Sequence, residues 1–193
     1  MKVKKAVLEE DGHGNKVITQ KFLEELCEEN NQYLTPHLND SMYLHYKGIT
    51  KIENLERYYE LKCLWMECNG IRRIENLDHF VKMRTLYLHQ NLISKIEGLD
   101  TMKLLVTLNL SNNKIKVIEN LDQLPMLKNL DLSHNFMQET SDLHGLRNCD
   151  ALTSVRFRFA QLLLNILFWK FCVCRLTCRI TTWSLPRILF PLS

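Results

Sequence analysis

The sequence predicts an α/β solenoid, in which each turn of chain adds one short strand to a parallel sheet. Three observations predict it. First, the tetrad Ile-Glu-Asn-Leu stands at Ile52 to Leu55, Ile74 to Leu77 and Ile118 to Leu121, and becomes Ile-Glu-Gly-Leu at Ile96 to Leu99, a step of 22 residues each time. Second, each tetrad closes a longer shared stretch: LKCLWMECNGIRRIENL from Leu61, MRTLYLHQNLISKIEGL from Met83 and LLVTLNLSNNKIKVIENL from Leu104, with LKNLDLSHNFMQETSDL following from Leu127. Third, Leu64/Met66, Leu86/Leu88, Leu108/Leu110 and Leu130/Leu132 alternate with polar or aromatic residues. That period of two is the signature of a strand with one buried face.

The shared pattern, L-x-x-L-x-L-x-x-N-x-I-x-x-I-x-x-L, is that of a leucine-rich repeat. Each repeat gives one strand, near Met42, Leu64, Leu86, Leu108 and Leu130, to a parallel sheet on the concave face. The crossovers between parallel strands make the solenoid right-handed. Asn69, Asn91, Asn113 and Asn135 follow three residues after the second apolar strand position, where the chain turns inward and leaves backbone groups unpaired. An amide side chain has donors and acceptors for such groups, so these four form a structural ladder. Ile52, Ile74, Ile96 and Ile118, with Leu55, Leu77, Leu99 and Leu121, fill the core from the returning convex side. Between them stand an exposed Glu and then Asn or Gly, residue types shared by helix caps and positive-φ positions, and the sequence leaves both open.

Taken along the chain, residues 1–18 are expected as a flexible N-terminus and 19–35 as an N-terminal capping helix. Phe22, Leu23, Leu26 and Cys27 have helical spacing, Thr19 can cap, and Pro36 limits the end. Residues 36–147 hold repeats 1–5. The first is degenerate, keeping Met42, Leu44, Ile49, Ile52 and Leu55 but placing Lys47 at the ladder position. Residues 148–160 begin a partial sixth repeat with Leu152, Val155 and Phe157, and Ala160 stands where Asn is expected. Residues 161–193 form a non-repeat apolar and basic tail, expected to be poorly ordered or loosely packed. Its charge-free run around Phe159 to Trp169 includes Gln161 and Asn165 and falls short of the roughly 20 residues a bilayer requires, so no membrane association is expected.

Composition narrows the function. With 193 residues and 46% hydrophobic content, the chain can bury a core. The net charge of +3 misleads, because the last 43 residues hold six of the 25 Lys and Arg and none of the 22 Asp and Glu. The mildly acidic remainder does not suit a nucleic-acid backbone. No apolar run follows the basic N-terminus, so a cytosolic chain with seven reduced cysteines is expected rather than a disulfide framework. There is no Walker loop, G-x-G-x-x-G, G-x-S-x-G or H-E-x-x-H, so no enzyme is expected and no cofactor is implied. Cys172, Cys174 and Cys178 lack the C-x-x-C pairing of zinc sites, and no metal is expected.

The candidate site is the outward column Tyr43, Trp65, Tyr87, Asn109 and Asp131, which lies between the buried positions of successive strands. Strands sit about 4.8 Å apart, so its three rings form one patch on the concave face. Clustered Tyr and Trp are residue types that dominate protein interfaces. His45, Glu67 and His89 form the next column. Since Ser111 continues it, it reads as a solvated mixed-charge part of the partner-binding face rather than a metal site. Tyr46, Cys68, Gln90, Asn112 and His134 flank both columns.

The run LCEENNQYLTPHLNDSMYLHYKGITKIENL, with LWMECNGI and LYLHQNLI after it, resembles the leucine-rich repeat domain of the dynein axonemal assembly factor 1 family from about Thr19 to Val155. The resemblance implies a non-enzymatic scaffold for cytoplasmic preassembly of axonemal dynein arms, with a role in cilium structure and motility. The partners it implies are dynein-arm assembly factors, chaperones and dynein chains; the places are the cytoplasm and the cilium. Family members continue into a C-terminal cap and a long acidic region, so the resemblance also implies a truncated chain with an aberrant tail. The alternative within binding proteins is a regulatory subunit of a protein phosphatase, or an axonemal dynein light-chain-like protein, of the same repeat class.

Overall fold

Six three-residue strands lie side by side in one parallel sheet: β3 (Ser41–Tyr43), β4 (Cys63–Trp65), β5 (Thr85–Tyr87), β6 (Thr107–Asn109), β7 (Asn129–Asp131) and β8 (Ser154–Arg156). The structure, a computed structural model, describes residues 6–12, 14, 16–138, 145–146 and 149–156. The tail at 161–193, with Phe157 and Ala160 of the sixth repeat, lies outside the described residues, as does the expectation of its loose packing.

Register follows the sequence period. Met42 pairs with Leu64, Leu64 with Leu86, Leu86 with Leu108 and Leu108 with Leu130, each 22 residues on. The last step is longer, Leu130 pairing with Val155, and the extra residues fall in the return between β7 and β8. The middle residue of every strand is buried, while its neighbours are less so. This gives the sheet one face toward the core and one toward solvent.

The core is a stack of columns, each contributed once per repeat. Leu44, Met66, Leu88, Leu110 and Leu132 continue the strands inward, and Ile52, Ile74, Ile96 and Ile118 meet them from the return; all are buried. Burying such a side chain stabilises by about 1.5–3 kcal/mol. A single repeat cannot bury both of its sides, so stability comes from stacking.

The open ambiguity in the returns is resolved. Asn54, Asn76 and Asn120 sit at φ 59°, 57° and 58°, and Gly98 at φ 67°, so they are left-handed turn residues and not helix caps. A left-handed residue ends any right-handed helix. Among the described residues the α-helix is confined to α1 (Gln20–Glu29), and the returns carry 3-10 or irregular turns. Each Asn also donates Nδ2 to a carbonyl of the preceding turn: Asn54 to Ile18 at 2.6 Å, Asn76 to Ile52 and Asn120 to Ile96 at 2.7 Å. The tetrad is therefore a second ladder on the convex side. Glu53, Glu75, Glu97 and Glu119 are half-buried rather than exposed, because the tight turn folds them against neighbouring repeats. At Gly98 a Cβ would lie 2.7 Å from the Ile74 carbonyl oxygen, so glycine stands where this turn approaches the preceding one too closely for a side chain.

The N-terminal end of the stack is covered. Thr19 Oγ1 accepts from the Phe22 N–H at 3.2 Å to cap α1, and the helix buries Phe22, Leu23, Leu26 and Cys27. Residues 1–18, expected as a flexible lead-in, include an antiparallel pair, β1 (Glu9–Glu10) with β2 (Lys16–Val17), and place Ala6, Leu8 and Ile18 in the core. Too short for a periodic pattern, the described part of this segment is held by what it packs against. Lys47, out of place on the ladder, extends its ammonium to Glu29 of α1 at 3.5 Å and fastens the helix to the first repeat.

Candidate functional site

The first ladder fixes the outer ends of the strands. Asn91 Nδ2 donates to the carbonyls of Met66 and Leu88, both at 3.0 Å, and its Oδ1 accepts from the Ile71 N–H at 3.1 Å. Asn113 repeats this with Leu88, Leu110 and the Ile93 N–H, and Asn135 with Leu110, Leu132 and the Ile115 N–H. Asn69 starts the series and accepts from both Lys47 and Ile49 N–H groups. Just before each ladder residue the chain turns through a left-handed, non-glycine residue: Tyr46, Cys68, Gln90, Asn112 and His134, all at φ 55° to 58°. Such positions cost about 1 kcal/mol or more each. The N–H groups of the first four bond across to carbonyls of the next repeat, Tyr46 to Glu67, Cys68 to His89, Gln90 to Ser111 and Asn112 to Ser133. Ladder and turn together hold the strand ends rigid, and with them the side chains between.

Those side chains include one wall of rings. Tyr43 stacks on Trp65 with centroids 4.6 Å apart and planes at 22°, and Trp65 on Tyr87 at 5.6 Å and 25°. The rings turn their faces to one another and their rims outward, and all three stay part-exposed. His45 and His89 meet the rims of Tyr43 and Tyr87 edge-on, at 6.3 and 6.2 Å. Tyr46 adds a ring at the end of the wall, edge-on to His45 and 74% exposed. A hydrogen bond with the Cys68 thiol raises its hydroxyl above the usual tyrosine value.

Glu67 stands just beyond β4, on the repeat between the two histidines. Its carboxylate is 4.0 Å from His45 Nδ1, beyond hydrogen-bond reach, and Oε2 is buried without a partner, as are Nδ1 of His45 and of His89. Glu67 is thus less solvated than alternation suggests, its side chain being only 14% exposed, whereas that of His45 is 41% exposed. Among the described residues no group of three His, Cys, Asp or Glu side chains could hold a metal ion.

Asn109 and Asp131 differ from the rings they follow. Asn109 Oδ1 accepts from both the N–H and the hydroxyl of Ser111, at 3.0 and 2.9 Å, and Asp131 Oδ1 does the same with Ser133, at 3.0 and 2.6 Å. Asp131 also approaches Arg156 Nη1 at 3.5 Å. The geometry therefore gathers Tyr43, Trp65, Tyr87, His45, Glu67 and His89 on repeats 1–3, and leaves Asn109 and Asp131 engaged in local turns on repeats 4 and 5. A signal for this was present in the sequence: Asn-Leu-Ser and Asp-Leu-Ser recur 22 residues apart, at Asn109 and Asp131.

No protein-family model matches the chain. It is 52% identical over 60 residues to a dynein axonemal assembly factor 1 homolog of Aedes aegypti, covering 31% of this chain and 5% of that protein. With the homolog of Drosophila melanogaster it shares 60% over 52 residues, 27% of this chain and 4% of that one. With dynein axonemal assembly factor 1 of Peromyscus leucopus it shares 53% over 49 residues, 25% and 8% of the respective chains. The matched segments thus span 4–8% of the length of these relatives. Among solved structures, the Drosophila melanogaster SNF/U2A′ complex aligns over 79% of this chain and 91% of the matched chain, with a TM-score of 0.59 and 20% identity. An internalin C2 of Listeria monocytogenes aligns over 61% and 51%, with a TM-score of 0.56 and 26% identity. Among the described residues no helix is long and apolar enough to cross a membrane. The chain is a leucine-rich repeat solenoid with partial homology, over 25–31% of its length, to dynein axonemal assembly factor 1.

Proposed function

We propose that the chain is a non-catalytic docking scaffold in the cytoplasmic preassembly of axonemal dynein arms, acting in the cytoplasm and at the cilium, and that its partner seats on the ring wall of repeats 1–3. The observation that carries the docking reading is the wall itself: three stacked, part-exposed rings on a sheet whose strand ends are held by the first asparagine ladder. A surface already held in one arrangement loses little entropy when a partner settles on it. The relatives' names supply the pathway, and the partners proposed with it, from the family resemblance of the sequence, are assembly factors, chaperones and dynein chains.

The test is recovery of the tagged full chain from ciliated cells, with bound proteins identified by mass spectrometry. Trp65→Ala is expected to weaken partner recovery by about 2 kcal/mol or more, the scale of a hot spot. Because Trp65 packs on rings at both faces, that substitution also removes stacking worth about 0.5–1.5 kcal/mol per pair. Trp65→Phe keeps a ring in the stack and is the companion variant, and Glu75→Ala on the convex side is the control. Recovery undiminished by a folded Trp65→Ala chain would remove this face from the mechanism. Recovery of a catalytic phosphatase subunit without any dynein-assembly component would favour the phosphatase-regulatory alternative.

A further inference from the structure

We propose, resting on the docking reading above, that the partner segment presents a basic side chain, Arg or Lys, to Glu67 while apolar residues beside it cover the rims of Tyr43, Trp65 and Tyr87. The two carboxylates on the outer face of the sheet are treated differently by the fold. Asp131 is answered from within the chain, by the N–H and hydroxyl of Ser133 and by Arg156. Glu67 is answered by nothing comparable, for no Lys or Arg among the described residues pairs with it and its Oε2 is buried without a hydrogen bond.

The available cations point elsewhere. Lys47 is turned to Glu29 of the capping helix, and Lys62, at the opposite end of β4, is paired with Asp40 at 2.9 Å. His45 and His89 flank Glu67, but His45 stops at 4.0 Å. A mostly buried carboxylate without a donor is a standing free-energy cost, and a cationic group that supplies N–H donors relieves it. The rings direct the rest of the contact. Their faces are occupied by one another, so they do not offer a cation–π seat between them; their rims offer apolar area beside the charge. An extended segment with a basic residue flanked by apolar ones matches both features.

The test is a random peptide library selected against the full chain, with dissociation constants of the selected peptides measured on wild type, Glu67→Gln, Asp131→Asn and Tyr43→Ala. Glu67→Gln keeps size and shape, and its thermal midpoint is checked against wild type. The inference expects a shared Arg or Lys in the selected peptides and an affinity loss of tenfold or more on Glu67→Gln, with little change on Asp131→Asn. Peptides that bind, weaken on Tyr43→Ala, but carry no basic residue or ignore Glu67→Gln would overturn this inference and leave the docking reading standing. Peptides indifferent to Tyr43→Ala and Glu67→Gln alike would overturn both.

Discussion

Replacing Asn91 by Ala separates what the ladder holds from what merely surrounds it. Asn91 is 5% exposed and bonds through both ends of its amide. The carbonyls it would abandon keep other donors: Met66 retains Asn69 Nδ2 at 3.0 Å, Leu88 retains Asn113 Nδ2 at 2.9 Å, and His89 retains the Cys68 N–H at 3.1 Å. The Ile71 N–H has no substitute, and Ile71 is fully buried. One orphaned buried donor costs about 1–3 kcal/mol, and three weakened acceptors add a fraction more, so about 2–3 kcal/mol is expected. With a urea slope of about 1–3 kcal/mol/M, the unfolding midpoint falls by roughly 1 M. Native-state hydrogen exchange gives the residue-level readout, in which the Ile71 amide loses protection more than the Ile93 amide, which remains bound to Asn113 at 3.0 Å. Asn91→Asp is the sharper variant. Its carboxylate can still accept from Ile71 but faces the three carbonyls with no donor, so it is expected to be less stable than Asn91→Ala at neutral pH and to recover on acidification. Equal urea midpoints for wild type and Asn91→Ala, or unchanged exchange at Ile71, would refute the reasoning.

The remaining predictions concern the convex ladder, a thiol and a histidine. Asn120→Ala is expected to destabilise by about 1–2 kcal/mol, through the bond to Ile96 and the cost of Ala at positive φ, and Asn120→Gly by less, since glycine relieves the backbone term; matched urea titrations decide the order. Burial pushes the Cys149 thiol up to about 11 and also raises that of Cys27, so both are expected to resist alkylation in the folded chain at pH 8 and to react after unfolding, as read by peptide mass spectrometry. Burial holds His79 below the usual imidazole value of 6.5. A histidine with a depressed folded pKa contributes stability in full above the unfolded value and loses it as pH falls through the folded one. The urea midpoint is therefore expected to drop on acidification below about pH 6.5, less steeply in His79→Asn than in wild type.

The sequence by itself determined the solenoid, because every repeat must satisfy the same physics. In repeats 2–4 an apolar residue at each second strand position, an amide at each inward turn and an Ile and Leu on each return recur at one spacing, and only stacked turns let identical residues meet at every step. It also determined the ring column, since the residue between two buried strand positions must face the other way. Tertiary structure alone decided what the tetrad's Asn does. Helix cap and left-handed turn are both local options for Asn, and the carbonyl of the preceding turn, two dozen residues upstream, selects between them. It likewise decided that Ala6, Leu8 and Ile18 cover the end of the stack, for a segment without periodicity is placed by the surface it meets. And it decided the division of the outer face. Polar residues of the two outer columns look equivalent in sequence, but Asn109 and Asp131 have a serine two residues on to bond with, whereas Glu67, in the neighbouring column, has only two imidazoles beside it and no donor within reach. Hydrogen-bond satisfaction is a property of three-dimensional neighbours, and it sets the answered carboxylate apart from the waiting one.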